Sequence, residues 1–102
     1  MRDAETISWI FLALSISSKD SPSNFAMISQ IADGINHSIP NEKEIQTSLT
    51  WLTNNKLITK TKNKYSLTET GKEMFSETQD INTSLLKMWE ILENKIEFKL
   101  RE

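Results

Sequence analysis

Cysteine is absent from this 102-residue chain, so neither a disulfide framework nor a thiolate metal site can be built, and a reducing, cytoplasmic setting is expected. Glycine and proline occur only twice each amid abundant Ile, Leu, Lys, Glu and Asn, which points to a mostly helical protein. The single histidine, His37, falls in a turn, so it is read as a solvated turn residue; a metal site would have to be built from carboxylates, and none is expected. There is no Gly-rich phosphate loop, no histidine cluster and no cysteine nucleophile, and the carboxylates are scattered over expected solvent faces. Neither catalysis nor a bound cofactor is therefore expected. The apolar run at residues 9–14 follows Asp3 and Glu5, lacks a basic lead or a small-residue cleavage site, and is too short for a bilayer, so no signal peptide or membrane span is read there. No internal repeat or low-complexity tract interrupts the chain.

What is present fits one domain, large enough for one hydrophobic core and not for two. Asp3 or Thr6 can cap a first helix reaching about Ser17, with Ile7, Ile10, Phe11 and Leu14 on one stripe and Trp9, Leu12 and Ile16 on a second side. A helix apolar over so much of its circumference is either central to the core or shared with another subunit. Residues 18–24, SKDSPSN, read as a loop. Phe25 and Ala26 are expected to form a small third strand, and Ile28, Ile31, Ala32 and Ile35 outline a second helix ending near residues 34–36.

Residues 49–75, LTWLTNNKLITKTKNKYSLTETGKEMF, are the most informative stretch. Just before it, Pro40 breaks what precedes, and Asn41 followed by Glu44 forms a capping-box start. Ile45, Leu49 and Leu52 then recur on one face, with Ser48 as a small neighbour, while Gln46, Thr47, Thr50 and Asn54 fall on the other. This helix should stop near Asn54 or Asn55, because Asn tolerates the left-handed conformation of a helix end. Residues 57–61 form a β-branched run, 64–67 can return beside it across Lys62 and Asn63, and Thr68 caps a new helix.

Helix, two-stranded hairpin, helix: over residues 5–76 this order resembles the winged helix-turn-helix regulators of the PadR-like and MarR-like kinds. The resemblance rests on the Leu49, Leu52, Leu57, Ile58 spacing and on the Tyr-x-Leu-Thr-x-x-Gly-Lys run from Tyr65 to Lys72. One departure is Lys56, which stands where that family usually has glycine before the Leu-Ile pair; Asn55 is expected to supply the turn instead. The implied fold is mainly α with a small β-hairpin, a winged helix-turn-helix over residues 1–76 with an added C-terminal helix over residues 77–102. The implied function is a small prokaryotic transcriptional regulator that lays a recognition helix, residues 42–54, in a groove of double-stranded DNA, with a wing, residues 57–67, beside the phosphates.

In the C-terminal part, Met74 and Phe75 continue a helix begun at Glu69, a polar patch over residues 76–84 bends or interrupts it, and Leu85, Trp89, Leu92 and Ile96 form a stripe that something must cover. The resemblance implies that this last helix packs with the first, often across a dimer axis. A homodimer through Trp9, Leu12, Ile16, Leu85, Trp89, Leu92 and Ile96 is therefore expected, against the alternative that both stripes meet inside one chain. Glu90, Glu93 and Glu97, with Lys87 and Lys95, read as helix-surface solvation.

Charge divides the functional reading. The formal net charge is −2, and the proposed recognition helix opens with Glu42 and Glu44, whereas DNA-binding surfaces are normally basic. Yet no acidic residue lies between Glu44 and Glu69, where Lys56, Lys60, Lys62 and Lys64 all fall. Lys60, Lys62, Asn63 and Lys64 are candidates for phosphate or minor-groove contact, and Lys43, Gln46, Thr47, Thr50 and Asn54 for the major groove, where Gln and Asn suit adenine edges and Thr a thymine methyl. The lysines equally serve to keep an exposed hairpin edge soluble. The alternative function is a protein-binding module of the immunity or antagonist type that covers a basic partner such as a nuclease, with Glu42, Glu44 and Trp51 as anchors. Trp51 lies on the flank of its helix and suits either that role or packing against the C-terminal helix.

Overall fold

The computed structural model describes residues 3–79 and 83–101. The order is α1 (Asp3–Ser17), α2 (Phe25–Asn36), α3 (Glu42–Asn54), β1 (Ile58–Thr61), β2 (Lys64–Leu67), α4 (Glu69–Ser76) and α5 (Leu85–Leu100). The protein is thus mainly helical with a two-stranded antiparallel hairpin. No helix among the described residues is long and apolar enough to cross a membrane.

α1 is the central element. Ala4 and every residue from Ile7 to Ser15 are buried, because α2, α3, α5, α4 and β2 all pack around this one helix. Its second apolar side is satisfied by α5: the Trp9 and Trp89 rings stack 6.1 Å apart, and the Trp89 indole N–H reaches the Glu5 carbonyl and the Ser8 hydroxyl, each at 3.0 Å. On the opposite flank the Trp9 N–H donates to the Ala32 carbonyl of α2 at 2.8 Å. The α5 stripe that makes this contact is Met88, Leu92 and Ile96, all buried, with Trp89 at its edge. Leu85, expected in the stripe, is 45% exposed because it opens the helix beyond the reach of the core.

The α1 and α5 faces assigned to a dimer seam therefore meet within one chain. Trp9, Leu12, Leu92 and Ile96 have at most 1% of their surface left, and Ile16 and Trp89 are packed on the same core. For Trp9, Leu12, Leu92 and Ile96 this corrects the expectation, because a side chain already enclosed by its own fold offers a second copy no area to bury; Ile16 and Trp89 stay partly exposed.

The helix starts follow local chemistry. Asn24, Asn41, Thr68 and Ser84 each accept a backbone N–H of the first turn from their side chains, satisfying donors that the helix leaves unpaired. At α3 the reciprocal bond is also made, Asn41 N–H to Glu44 Oε1 at 2.9 Å, which completes the capping box. Asn24 as a cap places Phe25 and Ala26 inside α2, so the third strand expected there is absent. Its place is taken just before the helix by a single bridge, in which Ser23 and Tyr65 exchange both backbone bonds at 2.8 and 2.7 Å.

The end of α3 also differs from expectation. Asn55 keeps φ at −92° and Lys56 takes the left-handed conformation at φ 61°. Lys56 N–H reaches the Thr53 carbonyl and Leu57 N–H the Leu52 carbonyl, both at 3.0 Å, which is the Schellman pairing, and in it the residue at the Lys56 position must be left-handed. The burial of Leu57 and Leu52 at the same point sets the register. From there the hairpin runs with Ile58 opposite Leu67 and Thr61 opposite Lys64, and Lys62 and Asn63 both have positive φ, as in the two-residue turn whose twist matches that of the strands. The polar patch expected at residues 76–84 lies between α4 and α5, and residues 80–82 of it lie outside the described residues.

Candidate nucleic-acid interface

α3 and the hairpin stand side by side, and the space between them is a groove of about 230 Å³ lined by Gln46, Leu49, Thr50, Thr53, Asn54, Lys60 and Tyr65. The alternation of β1 explains how Lys60 arrives there. Ile58 points into the core, so Lys60, two residues on, lies on the same face of the strand and turns toward α3. Tyr65, its cross-strand partner, is 95% buried and carries the Lys60 ammonium 5.7 Å from its ring centroid. The groove thus has a polar helix wall, an aromatic floor and a cationic wall, with no carboxylate among its lining residues.

Of the α3 candidates, Gln46, Thr50 and Asn54 meet in this groove. Lys43 and Thr47 do not. They are exposed but border a different cleft, about 330 Å³, on the opposite flank of α3 with Asp3, Ile7, Trp51 and Leu100. Lys62, Asn63 and Lys64, at the hairpin turn, are exposed and outside the groove. Thr53 and Tyr65 are groove residues that the sequence pattern alone did not single out. The pairing of Tyr65 with Lys60 is what brings Tyr65 to the site, and Thr53 hides its polarity by donating to the Leu49 carbonyl at 2.7 Å.

Charge is partitioned in space as it is in sequence. The pairs Lys72–Glu69, Lys87–Glu90, Lys95–Glu77 and Arg101–Glu97 all lie on α4 and α5 or just past their ends. Lys56, Lys60, Lys62 and Lys64 are exposed and, among the described residues, make no ion pair. An incoming anion can therefore meet these ammonium groups without displacing a carboxylate.

The three proposed partner anchors separate. The Glu44 carboxylate is occupied by the cap of α3, so it is not a free anchor. Trp51 is half-buried against the core and shares its cleft with Leu100 of the C-terminal helix. Glu42 is exposed and lies with Asp33, Phe25, Ile39 and Pro40 along a separate groove beneath the α2–α3 turn. Compared with protein-family models, with curated proteins and with solved structures, the chain matches none of them.

Proposed function

We propose that this chain is a DNA-binding protein of the winged helix-turn-helix kind, a small transcriptional regulator in which α3 is the recognition helix and the β1–β2 hairpin is the wing. The observation that carries this reading is the groove shared by α3 and the hairpin: Gln46, Thr50 and Asn54 on one side, Lys60 on the other, and no acidic residue between. Amide and hydroxyl side chains on an exposed helix face suit base edges in the major groove, and unpaired lysines on a hairpin tip suit phosphates. Glu42 and Glu44 lie in the first turn of α3 outside this groove, so the acidic net charge weakens long-range attraction to DNA without occupying this contact.

The test is binding to a mixed-sequence duplex at low and near-physiological salt, with the intact chain and a Lys60/Lys62/Lys64→Ala variant. Salt-sensitive binding that the variant loses supports the reading, because neutralising phosphates releases counterions and makes affinity fall with salt. Absence of binding by the intact chain even at low salt would refute it.

A second reading has one observation of its own. Ile39 is 73% exposed in the α2–α3 turn, beside Glu42 and Asp33, and an exposed apolar residue flanked by carboxylates suits a basic protein partner of the kind an immunity-type antagonist would cover. Ile39→Asp would abolish such binding and leave DNA binding through the hairpin intact.

A further inference from the structure

We propose that Lys56, at the left-handed end of α3, is a further contact to the phosphate backbone of double-stranded DNA; the inference rests on the DNA-binding reading and extends its footprint from the tip of the hairpin to its base.

The described chain has four non-glycine residues at positive φ, His37, Lys56, Lys62 and Asn63, while neither of its glycines, Gly34 and Gly71, has one. Histidine and asparagine are among the residues that visit this region most readily; lysine is not. The two lysines are therefore the costly choices, and both lie in the acid-free segment between Glu44 and Glu69.

At Lys56 the backbone has no freedom to relax. Its N–H is held by the Thr53 carbonyl at 3.0 Å, and its own carbonyl accepts the Thr68 hydroxyl at 2.6 Å. Next to it Leu57 is clamped at both ends, its N–H on Leu52 and its carbonyl on the Thr68 N–H. Glycine would fit this point of the Schellman pairing without strain.

No side-chain pairing within the fold repays the lysine. It is exposed and, among the described residues, makes no ion pair or side-chain hydrogen bond. A cation at a helix C-terminus does complement the macrodipole, and α3 has no basic residue in its last turn. That service does not require the left-handed position, since Asn54 or Asn55 would carry a cation equally close to the terminal carbonyls on ordinary backbone.

What position 56 offers is reach. Lys56 stands at the base of the hairpin, Lys60 within β1 and Lys62 in the turn, so the outgoing limb carries cations on both sides of and within its four-residue strand, roughly 13 Å of extended chain. Along one DNA strand that length corresponds to about four phosphates at roughly 3.4 Å of axial rise each. Lys56 thus adds a contact at the far end of the line that Lys60 and Lys62 begin.

The experiment measures binding to a mixed-sequence duplex of about 30 base pairs between about 50 and 200 mM salt, for the intact chain, Lys56→Gly and Lys56→Asn, with thermal melting of each protein alone. Both substitutions remove the charge while suiting the left-handed backbone. The expected result is a salt slope shallower by about 0.9 in both variants, a loss of affinity of roughly fivefold near 100 mM salt, and melting of Lys56→Gly no lower than that of the intact chain. An unchanged slope in both variants overturns the proposal whatever the melting shows, and a lowered melting temperature with it would assign Lys56 to the α3 terminus alone. Failure of the intact chain to bind is a different result, which refutes the DNA-binding reading itself.

Discussion

The Leu57 carbonyl lies where a β-carbon on Gly71 would have to stand. This contact locks the start of α4 onto the end of α3, and so fixes the base of the hairpin between them. Gly71 is buried and its φ is not positive, so glycine is required here by close approach and not by backbone conformation.

Gly71→Ala is therefore expected to destabilise the protein by about 2 kcal/mol, because backbone, unlike the end of a flexible side chain, cannot move aside cheaply. Gly34, in the exposed part of α2 with open space around it, is the internal comparison. Gly34→Ala should stabilise by about 0.5 kcal/mol through the lower entropy of the unfolded chain and better helix propensity. Urea titration of both variants checks the pair, and equal effects would show that the Leu57–Gly71 contact is not as tight as described.

Trp89 joins α5 to α1 by a stacked ring and two hydrogen bonds from one indole N–H. Trp89→Ala is expected to cost about 3 kcal/mol, and Trp89→Phe less than half of that, since the ring contact survives and the N–H is lost. Denaturant unfolding followed by near-ultraviolet circular dichroism reads both.

Because the apolar stripes of α1 and α5 cover each other within the chain, the free protein is expected to sediment as a monomer of 11.8 kDa at micromolar concentration. A concentration-independent dimer would mean that another surface pairs, with exposed Leu85 and Leu86 the first place to substitute.

Gln46→Ala and Thr50→Ala separate reading from holding. Each is expected to reduce discrimination between a preferred duplex and a random one by about 1–2 kcal/mol while leaving the salt slope unchanged, since neither side chain carries charge. Competition binding after selection from a random pool measures this. A changed slope with unchanged discrimination would place these side chains away from the bases.

Asn41→Ala removes one half of the α3 capping box and should cost about 1 kcal/mol, seen as a lower urea midpoint with unchanged dependence on denaturant.

Where the chemistry is local, the chain could be read directly. The α3 start at Asn41, the hairpin turn at Lys62 and Asn63 and the cap at Thr68 each depend on groups within a few residues, and the structure has all of them. The exposed polar face of α3 was legible for the same reason, because the buried spacing of Ile45, Leu49 and Leu52 leaves Gln46, Thr50 and Asn54 outside. Meeting in a groove with Lys60 was not legible, since that depends on how the hairpin leans on α3, which the burial of Ile58, Leu57 and Tyr65 decides.

Tertiary packing also settled the points where expectation and structure part. Asn55 is the better left-handed residue by propensity, yet Lys56 takes that conformation, because the burial of Leu57 next to Leu52 sets which amide reaches which carbonyl. Leu85 and Met88 are equally apolar, but only Met88 lies under the core. A stripe on α1 and another on α5 each demanded cover, and nothing in either pattern distinguishes a partner 80 residues away from the same surface on a second molecule. Periodicity states how much apolar surface must leave water; only the three-dimensional path of the chain determines against what.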